Sequence, residues 1–278
     1  MFRTSAGTRY PIARMFRSLL YICASFALTT QSFPEPPAQE TTINLDQRIE
    51  NERKILQTDP GNVEVRQDLA ILLGQKKEYD EALSVLRPGL SMSPPPDKPW
   101  YRALYRTTLG ELLEGKGDYT GAVAAYRECN VLSPGRCSRE LTLALARTGD
   151  IQAAAKEYEG CGQGEDCGTL ASGISEEPHG AQVLRQILAK HPHDLDAHWG
   201  LGLALKRKGE LREAIYQFRA ALPANGYGPT AHLEIAEALD KVSQIQEAIA
   251  EYRVVIRQAP NTDVAGAAQR ALKRLSSH

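Results

Sequence analysis

Neither sign of charge dominates this sequence of 278 residues: Lys and Arg number 33, Asp and Glu number 34, and the formal net charge is −1. Because there is no basic excess and no stretch in which basic and aromatic residues alternate, the composition argues against nucleic-acid binding. Aromatic residues are also scarce, at 6% of the chain. Few aromatics together with many Ala and Leu residues favour helices over strands.

Residues 18–30 form an apolar run, SLLYICASFALTT, that is shorter than the ~20 residues a helix needs to cross a bilayer. The residues ahead of this run include no acid and four bases, Arg3, Arg9, Arg14 and Arg17. This pattern predicts a secretory signal peptide over residues 1–32, cleaved after Ala27 or Ser32. A flexible linker is expected over 33–43. The alternatives are an uncleaved membrane anchor and lipid attachment at Cys23, which is less favoured because a bulky residue precedes it.

Export would leave four of the five cysteines in the mature chain: Cys129, Cys137, Cys161 and Cys167. An even number in an exported chain predicts disulfides. The preferred pairing is local, Cys129–Cys137 and Cys161–Cys167, and each bridge would contribute roughly 2–3 kcal/mol by the loop-entropy model. A four-cysteine zinc site is disfavoured because the usual CxxC spacing is missing. Four free thiols are the remaining alternative.

No pattern that would activate a catalytic group occurs in the sequence. Serines and cysteines lack the nucleophile-elbow or Cys/His context. The glycines of GCGQGED follow a predicted helix rather than a strand, which argues against a phosphate loop. His191, His193 and His198 could form a metal cluster, but their position at a junction beside Pro192 favours solvated side chains. We therefore predict a protein that is not an enzyme and has no metal and no cofactor.

One arrangement of small and large apolar residues recurs along the chain, in LAILLGQKKEYDEA, GELLEGKGDYTGA, LALARTGDIQAAA, LGLALKRKGELREA and IAEALDKVSQIQEA. Apolar residues at i, i+3, i+4 and i+7 form a stripe on a helix, and a stripe that stops at a turn and restarts indicates two antiparallel helices. The first helix carries small residues that allow close approach: Ala70, Gly110, Gly202 and Ala236. The second carries large residues that fill the space: Leu86, Tyr126, Phe218 and Tyr252. Such hairpins must stack to bury their apolar faces.

This pattern resembles the tetratricopeptide repeat, whose unit is about 34 residues, and is similar to that of exported bacterial members of the family. The resemblance covers residues 63–262 and implies an all-α fold, a right-handed α-α superhelical solenoid of helix hairpins. The units are predicted at 63–96, 103–136, 135–168, 195–228 and 229–262. A degenerate unit is predicted at 161–194, with a short or irregular first helix. Capping helices are expected over 44–62 and 263–278.

In this family the first helices of successive repeats line a concave groove that holds peptides or partner helices. The resemblance places these residues at the groove: Trp199, Leu203, Lys206, Leu233, Glu237, Arg139 and Glu111. An exposed aromatic residue beside leucines is typical of a binding hot spot, so Trp199→Ala should weaken partner capture and leave thermal unfolding nearly unchanged. Alternatively, Trp199 packs against a neighbouring repeat.

The sequence as a whole therefore predicts a protein–protein interaction scaffold of the cell envelope, exported to the periplasm, that binds a protein or peptide partner in this groove. Nucleic acid is not expected as a partner, and membrane contact is expected only through an uncleaved N-terminus. The alternative is a membrane-tethered assembly subunit of a secretion or polysaccharide machine.

Overall fold

A computed structural model describes residues 44–93, 98, 100–162, 167–222 and 227–276. The predicted signal peptide and linker lie outside these residues. Within the described ranges, none of the helices combines the length and the apolar character needed to cross a membrane.

The described part of the chain contains fourteen α-helices and no strand. In chain order the helices are α1 (Leu45–Thr58), α2 (Val63–Gln75), α3 (Tyr79–Leu86), α4 (Tyr101–Lys116), α5 (Tyr119–Leu132), α6 (Ser138–Thr148), α7 (Ile151–Tyr158), α8 (Cys167–Glu176), α9 (Gly180–Lys190), α10 (Leu195–Lys208), α11 (Leu211–Ala221), α12 (Gly228–Lys241), α13 (Ile245–Gln258) and α14 (Asp263–Leu275). Short 3-10 turns follow α3 and α7. From α2 to α13 consecutive helices pair into hairpins, and α1 and α14 pack on the two ends of the stack. The predicted all-α repeat solenoid is therefore confirmed.

The hairpins close tightly where a small residue on the first helix faces a large one on the second. A Cβ atom added to Gly202 would come within 2.5 Å of the Phe218 ring, and one added to Gly110 would come within 2.3 Å of the Tyr126 ring. Both rings are completely buried. The two helices can therefore approach this closely only because the first helix carries no side chain at that position.

The turn inside a hairpin uses residues suited to ending one helix and starting the next. Gly209 ends α10 with a φ of 79°, in the left-handed region that glycine adopts without strain. In the α4–α5 hairpin Gly117 has the same role, with a φ of 89°. The following Asp118 caps α5, because its carboxylate accepts a hydrogen bond from the backbone N–H of Gly121 at 2.9 Å.

The predicted degenerate unit contains two regular helices, α8 and α9, that pack differently from the other hairpins. The first of them, α8, has 10 residues against 14 in α10, so it is short but not irregular. Elsewhere the second helix of a hairpin packs on the first helix of the next, whereas here α7 packs on α9 and α8 lies mainly against α10. Gly200 permits this crossing, because an added Cβ would lie 2.6 Å from the carbonyl oxygen of Ala171 in α8.

Two disulfides join consecutive helices, in the pairing that the sequence analysis preferred. Cys129–Cys137 connects the last turn of α5 to the residue that precedes α6, with both cysteines buried. Cys161–Cys167 connects the 3-10 turn after α7 to the start of α8. A third helix, α4, also contacts the Cys129–Cys137 bridge, because the Thr107 hydroxyl lies 3.1 Å from the Sγ atom of Cys137.

Candidate binding surface on the first helices

The first helices of the hairpins, α2, α4, α6, α8, α10 and α12, form the surface on which the sequence analysis placed the groove. We call this surface the first-helix face. Side-chain contacts join neighbouring helices across it. Glu114 of α4 lies 3.7 Å from Arg147 of α6. Between α2 and α4 the contact is buried: the Gln67 amide donates a hydrogen bond to the Thr108 hydroxyl at 2.7 Å.

Trp199 does not lie exposed on this face, so the prediction of an exposed aromatic anchor is wrong. Its side chain is 8% exposed and stacks on Tyr227, with ring centroids 4.6 Å apart and an angle of 11° between the planes. Phe218 lies at 5.4 Å on another side of the indole. The indole N–H donates to the Ser172 hydroxyl at 3.2 Å. Trp199 therefore fills the space between α8, α10 and the residue that precedes α12, which is the alternative that sequence analysis left open.

Lys206, another predicted groove residue, is held by two carboxylates of α12. Its ammonium lies 2.7 Å from Glu237 and makes a second, shorter contact with Glu234. Burial lowers the pKa of Lys206, but the two carboxylates outweigh it and keep the pKa above 10.5. The nearby Leu203 and Leu233 are half-buried and pack against the core. Lys206 therefore joins α10 to α12 and is not free to receive a partner's carboxylate.

Arg147 makes the most extensive polar contacts on the face, and sequence analysis did not identify it. Its Nε and Nη2 atoms donate to the two carboxylate oxygens of Glu177 at 2.6 and 2.5 Å. The guanidinium also lies 5.0 Å from the ring centroid of Tyr119. Glu177 comes directly after α8, in the unit where the repeat pattern is weakest. The pairing of Arg147 with Glu177 could therefore not be predicted from the repeat pattern.

Three glutamates on α4 and α6 form an acidic patch, which we define as Glu111, Glu114 and Glu140. Glu111 is accessible to solvent, but the surrounding helices remove part of its hydration and raise its pKa above 4.5, and Glu140 and Glu114 raise it further. Desolvation also raises the pKa of Glu114, against the opposing effects of Arg147 and the Tyr126 hydroxyl. Within the described residues neither Glu111 nor Glu140 forms an ion pair. The predicted groove residue Arg139 is exposed at the start of α6.

One family model matches part of the described helices. A model of the tetratricopeptide repeat family matches residues 179–229, from the residue before α9 to the start of α12. The predicted resemblance to the tetratricopeptide repeat is therefore confirmed over these residues. No curated protein sequence matches it.

Several solved structures are similar to this repeat protein, each with 16% sequence identity. YrrB, described as a TPR protein with an unusual peptide-binding site, matches with a TM-score of 0.38 over 80% of this chain and 99% of YrrB. PilF of Pseudomonas aeruginosa matches with a TM-score of 0.41 over 82% of this chain and 90% of its own. The TPR2AB domain of yeast Sti1, in a complex with pHSP90, matches with a TM-score of 0.33 over 83% and 90%.

The histidines considered as metal ligands lie at a junction between tetratricopeptide repeats. His198 is held by other groups: one ring nitrogen lies 2.6 Å from the Gln217 side-chain oxygen and the other 3.0 Å from the Pro192 carbonyl. His191 and His193 are exposed. Across the described residues, no three His, Cys, Asp or Glu side chains are grouped so as to hold a metal ion.

Proposed function

We propose that this protein is a non-catalytic interaction scaffold that binds a basic peptide or partner helix on its first-helix face, at the acidic patch. One observation carries the proposal: desolvation, and after it the charges of Glu140 and Glu114, raise the pKa of Glu111, yet neither Glu111 nor Glu140 has a cationic partner in the described part of the chain. Carboxylates that repel one another destabilise the fold on their own. A bound Lys or Arg side chain would relieve that repulsion and select basic partners.

An apolar contact lies beside the patch. The Gln67–Thr108 hydrogen bond shows that these two residues of α2 and α4 lie side by side. One helical turn further along, α2 carries Ile71 and α4 carries Glu111, so the two side chains belong to the same part of the face. Ile71 is 36% exposed. This combination suits an amphipathic segment with basic and apolar residues at helical spacing.

The test uses a fluorescein-labelled peptide with Lys and Leu at helical spacing, and the same peptide with Glu replacing Lys. The basic peptide should bind, with an affinity that falls as salt rises. Removing both charges with Glu111→Gln and Glu140→Gln should weaken binding about 3- to 10-fold. Glu157→Gln, on the second helix α7, removes a charge away from the face and should change nothing. Equal binding of both peptides, or equal losses in all variants, would rule out the acidic patch as the site.

We also propose that the scaffold works outside the cytoplasm, in the cell envelope. The basic and apolar N-terminal sequence supports this, and so do the two disulfides, because such bonds persist in oxidising compartments. Intact-mass measurement on protein from native cells tests the proposal. Loss of about residues 1–27 or 1–32 supports a free exported form, whereas an intact Met1 in the membrane fraction supports the membrane-tethered assembly subunit instead. Affinity capture from the same envelope would then identify the partner.

A further inference from the structure

A cavity of about 160 Å³ opens at the edge of the stack where the first helices begin and the second helices end. Its described lining comes from the start of α2, the 3-10 turn after α3 and the residues just beyond it, the first half of α4 and the end of α5: Val63, Gly89, Leu90, Met92, Tyr101, Arg102, Tyr105, Arg106 and Leu132. An engineered apolar cavity of about 150 Å³ holds one benzene molecule. The cavity is therefore large enough for one phenyl ring or one leucine side chain.

Tyr101 and Tyr105 supply the aromatic rings of the cavity lining. The Tyr101 ring centroid is 5.7 Å from that of Tyr105 and 5.7 Å from that of Trp100. Tyr105 is fixed, since its hydroxyl donates to the Val63 carbonyl at 2.9 Å. The Tyr101 hydroxyl makes no hydrogen bond with any described residue and is available to a ligand.

The apolar surface continues outside the opening. Trp100, whose ring lies beside that of Tyr101, is 46% exposed, and the lining residue Leu132 is 47% exposed. Contiguous exposed apolar patches are typical of interaction sites. An adaptable Met and rigid aromatic rings are also the residue types enriched at protein-binding surfaces.

The charge at the rim indicates the sign of the ligand. Arg106 is already paired, with its Nε atom 2.6 Å from Glu128. Arg102 is exposed and forms no ion pair with the described residues. An arginine guanidinium at the mouth of an apolar cavity can bind a carboxylate through two parallel hydrogen bonds.

We propose that this cavity is a second peptide-binding site, which takes one aromatic or leucine side chain of an acidic partner segment while a neighbouring carboxylate of that segment pairs with Arg102. The site is separate from the acidic patch, because Tyr101 and Glu111 are about 15 Å apart along α4. It also selects the opposite charge. The proposal therefore stands or falls independently of the function proposed for the first-helix face.

The test is fluorescence anisotropy with a labelled probe in which one Phe is flanked by Asp and Glu residues. A second probe carries Gly in place of Phe, and a third carries Lys in place of the acids. The Phe-to-Gly change should weaken binding about 10- to 100-fold, because the benzyl group no longer enters the cavity. Arg102→Glu in the protein should weaken binding of the acidic probe about 5- to 10-fold. Arg253→Glu, at another exposed arginine, on α13, should have no effect.

Arg102→Glu changes an exposed side chain and should fold normally, which a circular dichroism spectrum checks. Leu132→Trp provides an independent variant, because the larger ring occupies the cavity and should block the acidic probe. Equal binding of the Phe and Gly probes, or equal effects of Arg102→Glu and Arg253→Glu, would refute the proposal. Sedimentation measurements test whether the protein self-associates through this surface. Self-association that Arg102→Glu abolishes would assign the surface to a second copy of this chain and would overturn the peptide assignment.

Discussion

Trp199 is a single residue that joins several elements of the array. Its indole touches Phe218 of α11, Tyr227 before α12 and Ser172 of α8. We predict that Trp199→Ala destabilises the protein by about 3–5 kcal/mol, the usual cost of truncating a buried large aromatic side chain. Urea unfolding followed by far-UV circular dichroism measures this. Trp100→Ala removes the other tryptophan, which is half exposed, and should cost about 1 kcal/mol or less. Equal costs for the two variants would show that Trp199 is not a core residue.

Glu111 illustrates a residue that works against the stability of the fold. Its pKa in the folded protein lies above 4.5, because of desolvation first and of Glu140 and Glu114 second. The charge of Glu111 has no destabilising effect below pH 4.5, where the carboxyl is protonated in both the folded and the unfolded protein. The destabilisation develops as the pH rises through the pKa of the folded protein. Glu111→Gln should therefore raise Tm at pH 7.5, by about 1–2 °C, and have no effect at pH 3.5.

The matched control is Glu157→Gln, which removes one carboxylate on α7, away from the acidic patch, and should not raise Tm at pH 7.5. A Tm gain for Glu111→Gln that persists at pH 3.5 would have to come from something other than charge. A carboxylate that lowers stability at neutral pH is consistent with one used for binding, as proposed for the acidic patch.

At the scale of elements, the disulfide Cys129–Cys137 sets how α5 continues into α6. The bridge closes a loop with a sequence separation of 8, and the loop-entropy model gives about 2–3 kcal/mol for a loop of this size. We predict that reduction lowers the free energy of unfolding by that amount. A Cys161→Ser/Cys167→Ser variant isolates the effect, because Cys129–Cys137 is then the remaining bridge. Urea unfolding of this variant with and without a thiol reductant should show the loss, and identical curves would contradict it.

At the scale of the whole molecule, the sequence predicted the hairpins better than the surface they form. Small–large pairs such as Gly202 with Phe218 are local to one repeat, so their spacing alone predicted the close approach seen in the structure. The environment of Trp199 depends on Ser172 and Tyr227, which belong to the neighbouring units. Its burial could not be read from one repeat. Arg147 and Glu177 were missed for the same reason, since α8 and α9 depart from the regular stacking.

Arg147 is the side chain that spans this irregular junction. It reaches Glu177 after α8, Glu114 of α4 and the ring of Tyr119 at the start of α5. In a stack of repeats each unit contacts mainly its neighbours, so a weak junction limits the cooperativity of the whole array. The Glu177 side chain is only 7% exposed, and losing Arg147 would leave its carboxylate buried without a cation.

We therefore predict that Arg147→Ala costs about 2–3 kcal/mol and makes the two ends of the array unfold separately. In a Trp100→Phe background the fluorescence of Trp199 reports on the C-terminal repeats, and circular dichroism reports on all helices. The two urea transitions should coincide in the parent and separate in Arg147→Ala. Adding Glu177→Gln should bring them together again, because the buried charge is then gone.

Arg219→Ala, which breaks an exposed pair with Glu247, should cost less than about 1 kcal/mol and leave the transitions coincident. If Arg147→Ala behaved like Arg219→Ala, the coupling across this junction would have to come from the packing of α7 on α9.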